Sequence, residues 1–479
     1  MKKSLMIAAT AMALLFSSNV AHAAKPVNVL VIDAGVDMEH SMIKPQARAN
    51  SAELHGKPGV DDDNNGYIDD IYGWNFMENS NTLIHLGDAP DRYDKAIKNM
   101  EDLAKFQQDA KFFEDETSWE QFQKLAFEGN FKNFISTFAG WAHGTHVAGI
   151  IARNNKAVAL NTIAYMPKDA SPNGIRVPTI VVVLYLLRQQ FGSSHSEKVK
   201  LTDEMINNQF GQMYFDSKRE LSPMAKYMKA LNPKLVNCSF GTSNEMLDPL
   251  IKEVMEYWGR KTDDKSVAKM RNRFVKDVLC KRDKFLFDSC PDALFFFAAG
   301  NTGKDIDDQI VSPCSVDMEN KLVVAATDNN EKLADFSSYG KNSVDIACPG
   351  VNIKSAYPDN KVGKMSGTSM AAPVALRYAS QVLATNPNLS AIQLKKILMG
   401  TVDKKPWLKG KVKSGGVINV SRAVHAAYEM KSGTSLEDAI KTANLAFDDK
   451  KPVKRNGVST ERPDLTDETN KELYFLNAF

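Results

Sequence analysis

The chain has almost no excess of charge of either sign. Lys and Arg number 60 and Asp and Glu 58 in 479 residues, a formal net charge of +2. Nothing in that balance points to a nucleic acid or an anionic membrane surface as a partner. Cysteine is scarce: Cys238, Cys280, Cys290, Cys314 and Cys348 are the five in the chain. So few leave the fold to rest mainly on a hydrophobic core, and an odd count leaves at least one without a partner in the chain. Cys280 and Cys290 are near enough in sequence to bridge, although spacing does not define connectivity. The N-terminal apolar run, residues 5–16, is too short to span a bilayer as an anchor. No internal repeat is visible.

That run has a different reading. Lys2 and Lys3 precede it, and Ala21-His22-Ala23 offers a small-x-small cleavage site. Residues 1–23 are therefore read as a signal peptide, with the mature chain beginning near Ala24 after export. The expected destination is secreted or periplasmic, with no membrane anchor after cleavage and no nearby cysteine to carry a lipid. An oxidising compartment would permit disulfides.

Hydrophobic residues make up 43% of the chain and charged ones 25%, an ordinary balance for a globular protein. Short apolar runs at 27–32, 179–187, 235–238, 293–299, 322–326 and 344–347 alternate with helix-like stretches. Runs that are apolar throughout suit strands covered on both faces. The expected class is α/β, a doubly wound, mostly parallel sheet with helices on both faces. Polar, helix-spaced stretches at about 76–140 and 188–221 are expected to be helical insertions into a domain covering 24–430. Residues 431–479, charged and containing Pro452 and Pro463, are expected to form a peripheral tail.

Four polar residues stand at the ends of apolar elements. Asp33 follows the run 27–32, where open α/β folds place their sites, although a lone Asp commonly caps a turn. His143 begins HGTHVAGIIA on a helical pattern. It is either satisfied by backbone groups, a base, or, with His146, half of a metal site. The glutamate that a zinc-protease helix carries between its histidines is absent. Ser369, in MSGTSMAAP, stands where a glycine-rich turn becomes a helix, and by itself reads as an N-cap. Asn301, in FFFAAGNTG, follows a very apolar run and suits a turn. A serine nucleophile needs an imidazole base, and the base needs a carboxylate to hold its tautomer. The chain order Asp, His, Ser differs from those of chymotrypsin-like enzymes and α/β-hydrolases, and no Gly-x-Ser-x-Gly surrounds Ser369.

At these residues the chain resembles the subtilisin-like serine proteases. The matching boxes are Asp33-Ala34-Gly35-Val36, His143-Gly144-Thr145-His146-Val147-Ala148-Gly149 and Gly367-Thr368-Ser369-Met370-Ala371-Ala372-Pro373. The likeness extends through Asn237-Cys238-Ser239-Phe240-Gly241, Ala299-Gly300-Asn301, Phe336-Ser337 and Ala347-Cys348-Pro349-Gly350. It implies a serine endopeptidase acting on extended polypeptides, with Ser369 as nucleophile, His143 as base and acid, and Asp33 as its orienter. Asn301 and the Ser369 backbone N–H would hold the oxyanion, and Ser239, Phe240 and Gly241 would line the substrate. Ser366 would shape the loop. No cofactor is required by this chemistry, and no metal is expected at the triad.

Two departures stand out. Val374-Ala375-Leu376-Arg377 replaces the histidine and Val-Ala-Gly of many relatives, and is expected to alter helix packing without touching the triad. Asp33 lies so close to the cleavage site that no N-terminal pro-domain is expected. Inhibition would then fall to an insertion or to the tail. Residues 61–70, DDDNNGYIDD, follow an EF-hand loop until its twelfth position, which is Tyr72 rather than a glutamate. They are read as a solvated acidic turn, with a structural Ca²⁺ as the second reading. Rival functions are a catalytically silent peptide-binding protein of the same fold and a calcium-dependent adhesion module.

Overall fold

The computed structural model describes residues 25–88, 131–165 and 202–447. The signal segment, the run at 179–187, residues 89–130 of the first insertion, residues 188–201 of the second and the end of the tail lie outside them.

Nine strands form the main sheet: β1 (Val27–Asp33), β2 (Gly73–Asn75), β3 (Val158–Ala164), β4 (Leu235–Cys238), β5 (Leu294–Ala298), β6 (Lys321–Thr327), β7 (Ile346–Pro349), β10 (Asp403–Lys404) and β11 (Gly416–Val417). Their order is β10-β11-β7-β6-β5-β4-β1-β3-β2, parallel throughout except for the β10–β11 edge pair. β8 (Ile353–Tyr357) and β9 (Lys361–Met365) form a separate antiparallel hairpin. The described helices of four or more residues are α1 (Ser51–His55), α2 (Phe131–Ala152), α3 (Asp203–Leu231), α4 (Asn244–Tyr257), α5 (Asp264–Phe274), α6 (Lys281–Phe287), α7 (Thr368–Thr385), α8 (Ala391–Gly400), α9 (Val420–Lys431) and α10 (Leu436–Ala446), with a π-helical link Val275–Cys280 joining α5 to α6.

The central strands are apolar throughout because each feeds two cores. In β1, Val29 and Val31 enter the core with α2 and α7, whereas Leu30 and Ile32 enter the one with α3 and α6. In β5, Leu294 and Phe296 face the first core and Phe295 and Phe297 the second, where Phe287 packs on both at 4.9 and 5.2 Å between ring centroids. A strand wetted on one face would alternate; these do not. The strand order reverses at β1, with β3 on one side and β4 on the other. Such a switch point opens a crevice at the carboxyl ends of the strands.

Three expectations need correction. β3, VALNTIA, was not among the apolar runs, because Asn161 and Thr162 interrupt it. Both are nevertheless buried and satisfied: Thr162 Oγ1 donates to the Val31 carbonyl at 3.1 Å and Asn161 Nδ2 to that of Arg48 at 2.8 Å. Residues 203–221 are no surface addition. They open the 29-residue α3, which buries Ile206, Phe210, Met213 and Leu221 in the second core. Nor is the chain from 431 peripheral up to its last described residue, 447. α10 turns Ala439 and Ala443 into the first core and its charged residues outward. The cysteine pairing, which spacing left open, resolves as none: all five thiols are free and buried, and burial pushes those of Cys280 and Cys314 up to about 11 and about 12.

Candidate active site

β1 ends in Asp33, which is fully buried. An isolated carboxylate there would be costly, but Oδ1 accepts from the Ala34 N–H at 2.8 Å and from His143 Nδ1 at 2.8 Å, with Oδ2 3.0 Å from the same nitrogen. The close approach depends on Gly144. A methyl group there would sit 2.1 Å from the Gly35 carbonyl oxygen and 3.1 Å from Asp33 Cβ. Glycine lets the mid-portion of α2 lie directly on the end of β1. Burial opposes charging His143, but the charge of Asp33 and its hydrogen bond outweigh it, so the imidazole pKa lies above the ordinary histidine value.

His146 does something else. Its Nε2 meets the Gly363 carbonyl at 3.3 Å and its ring leans on Tyr357. Burial, aided by the nearby His143, holds its pKa down at about 3, so it stays neutral at working pH. His143 is therefore the one of the two able to exchange protons. Among the described residues, the groups close enough to hold a metal ion are Glu53, Asp61 and Asp63, and neither histidine is among them.

The β8–β9 hairpin delivers the chain to Ser366 and Ser369. Ser366 Oγ accepts from the Asn352 N–H at 2.8 Å and ties down the loop. Gly367 is the N-cap of α7, which places Ser369 in its first turn, where backbone N–H groups lack intrahelical acceptors. Pro373, inside the same helix, has no N–H to give the carbonyl four residues back. That carbonyl belongs to Ser369, and Ser239 Oγ donates to it instead at 2.8 Å. Ser369 Oγ in turn donates to the Ser239 carbonyl at 3.1 Å. Asn237 Nδ2 donates to Ser239 Oγ at 2.9 Å and steadies the pair. Ser239 follows β4, whose Cys238 lies opposite Ile32, the residue before Asp33. Ser369 is thus held at the strand next to the one that ends in Asp33.

Asn301 closes the cluster. Its Oδ1 accepts from both the Thr368 N–H and Thr368 Oγ1, each at 2.9 Å. The side chain is exposed, with its NH₂ as the donor end. The turn needs Gly300, whose φ is +104°, and the Gly300 N–H donates to Thr368 Oγ1 at 3.1 Å. Phe240 packs partly buried against the second core, and Gly241 lies against the Ser312 carbonyl, 3.0 Å from where a Cβ would stand. Sequence reasoning did not single out Asn237, Gly144 or Thr368 for a role. All three lie inside the quoted stretches, but the contacts that need them come from other elements.

Glu53 of α1 is buried, and it joins Asp61 and Asp63 with their oxygens within 4.8 Å of one another. Amide groups already attend these oxygens: Asp62 N and Asp69 N donate to Glu53, Gly66 N to Asp61 and Asn65 N to Asp63. The all-oxygen set with three carboxylates fits a hard cation such as Ca²⁺.

An open, doubly wound α/β sheet with a polar cluster of Asp, His, Ser and Asn at the carboxyl ends of its central strands defines the class of protein. The chain belongs to the subtilase family, whose model matches residues 24–423. It is 26% identical over 415 residues to subtilisin-like protease 1 of Plasmodium falciparum (isolate 3D7), covering 86% of this chain and 45% of that protein. The corresponding protein of Plasmodium vivax is 27% identical, covering 84% of this chain and 48% of its own. The chain thus spans about half the length of the curated relatives it matches. A cold-adapted subtilisin-like serine proteinase of known structure covers 84% of this chain and 89% of its own, at 17% identity and a TM-score of 0.40.

Proposed function

We propose that this chain is an exported serine endopeptidase that cleaves polypeptides through an Asp33–His143–Ser369 triad. The observation that carries the reading is the 2.8 Å contact of His143 Nδ1 with a fully buried Asp33, one strand from Ser369. With Nδ1–H donated to Asp33, Nε2 is left as the basic nitrogen. Ser369 Oγ releases the Ser239 carbonyl, gives its proton to Nε2 and attacks the scissile carbonyl carbon. The oxyanion takes hydrogen bonds from Asn301 Nδ2 and the Ser369 N–H. On collapse the C–N bond breaks, and the amine leaves with the proton from His143. Water then repeats the sequence and frees the acid. Ser239, Phe240 and Gly241 line an extended substrate that pairs as an added strand.

A serine-reactive fluorophosphonate probe tests the reading. It should label the folded protein at Ser369, as mapped by peptide mass spectrometry. Labelling elsewhere, or none in folded protein, would sink it and favour the peptide-binding rival.

The reading includes a structural Ca²⁺ held by Glu53, Asp61 and Asp63, where it would offset three converging carboxylates and stiffen the loop. A ligand present at a hundred times its Kd stabilises by about 2.7 kcal/mol, which in a domain of this size raises Tm by several degrees (about 2–4 °C per kcal/mol). Millimolar Ca²⁺ should therefore raise the Tm measured in chelator, and should do so less in Asp61→Asn. An identical Tm in both conditions would leave the cluster a solvated acidic turn.

A further inference from the structure

The departure at Arg377 does more than change helix packing. Arg377 lies about two turns beyond Ser369 on α7 and is buried at 4% exposure. Its guanidinium reaches across to the last turn of α2, the helix that carries His143. Nη1 donates to the carbonyls of Ile150, Ile151 and Arg153 at 3.0, 3.3 and 2.7 Å. These carbonyls belong to a helix end, where intrahelical donors run out and the backbone dipole is negative. A second strut runs beside it: Asn155 Nδ2 donates to Ile151 O and to Ser380 Oγ, and Ser380 Oγ to the Arg377 carbonyl. Burial brings the guanidinium pKa down to about 10, which leaves it a cation at neutral pH.

Resting on the peptidase reading above, we infer that Arg377 is a positioning residue that locks the register of the base-bearing helix α2 against the nucleophile-bearing helix α7. The physical reason is the asymmetry of a buried charge. While seated on its carbonyls it is tolerated, but any slide of α2 along α7 strips those bonds and leaves a buried cation unsatisfied. An apolar residue of similar length would pack without resisting that slide. Two further contacts of α2 grip the sheet and hairpin. Gly144 rests against Gly35 and Asp33, and the His146 carbonyl accepts from Ser355 Oγ at 2.7 Å. They fix His143 to Asp33. The Arg377 clamp and its strut fix the same helix to the serine.

The test compares wild type, Arg377→Met and Arg377→Lys on a fluorogenic peptide, with Tm and the rate of fluorophosphonate labelling. A misplacement of about 1 Å can cost about 10²-fold in rate. Arg377→Met should therefore lose on the order of tenfold to a hundredfold in kcat, with KM within about twofold, well below its own Tm. Labelling should slow in parallel. Arg377→Lys keeps the charge but not the planar fork, and should recover part of the loss; it also carries the test if the Met variant does not fold. Wild-type kcat in either folded variant, or a loss confined to KM, overturns the inference. If wild type itself is not labelled at Ser369, the peptidase reading falls. If wild type is labelled and the variants react at its rate, only the role of Arg377 falls.

Discussion

Ser369→Ala is expected to lower kcat for peptide hydrolysis by about 10⁶-fold. That figure comes from a subtilisin, a member of this chain's own family, and so is no independent estimate. The reason for a loss this large is that the triad acts as one unit. Without Oγ there is no atom to accept the acyl group, and His143 and Asp33 have no proton to move. What remains is binding and the oxyanion donors, worth about 10³–10⁴ over water. The structural cost is small. Ser369 Oγ makes one hydrogen bond, to the Ser239 carbonyl, worth about 1 kcal/mol, whereas the reciprocal bond from Ser239 Oγ to the Ser369 carbonyl survives the substitution. The variant should therefore melt within a few degrees of wild type. Turnover measured beside Tm checks this. A loss of less than about tenfold would show that another residue is the nucleophile.

Asp33→Asn should cost about 10⁴-fold in kcat, by analogy with an unrelated triad. Here the geometry supplies the reason. Asp33 Oδ1 also accepts from the Ala34 N–H. An asparagine that keeps this acceptor turns its NH₂ toward His143 Nδ1. Nδ1 must then accept, the proton moves to Nε2, and in the proposed triad Ser369 would meet a donor instead of a base. The pH dependence follows with a definite sign. Burial pushes the His143 pKa down, and Asp33 more than offsets this, leaving it raised. The base works only when neutral, so wild-type activity falls as pH drops through that raised value. Removing the carboxylate leaves burial unopposed and lowers the pKa. The residual activity of Asp33→Asn should thus persist to lower pH than that of wild type. An acid limb that stays in place, or moves to higher pH, would show that Asp33 does not set the charge on His143.

Much of this was legible in the linear chain. The runs that became β1, β4, β5, β6 and β7 are apolar on both faces, and that pattern survives without any knowledge of partners. β3 was not legible. Its Asn161 and Thr162 look exposed until the Arg48 and Val31 carbonyls that receive them are known. α10 looks like tail in the sequence because its charge is visible there and the placement of Ala439 and Ala443 against the core is not. Cys280 and Cys290 showed the same limit: proximity in sequence is not proximity of sulfurs.

The sequence alone determined the family, through three boxes whose glycine, proline and polar residues follow local backbone requirements. It also determined the class of fold, because strands buried on both faces must be apolar at every position. Only the tertiary structure decided that Pro373 leaves the Ser369 carbonyl for Ser239, that Gly144 lets a helix touch Asp33, and that Arg377 reaches the end of the helix bearing His143. Those are contacts between elements far apart in the chain. Their energetics lie in burial and hydrogen-bond geometry, which no local stretch of residues encodes.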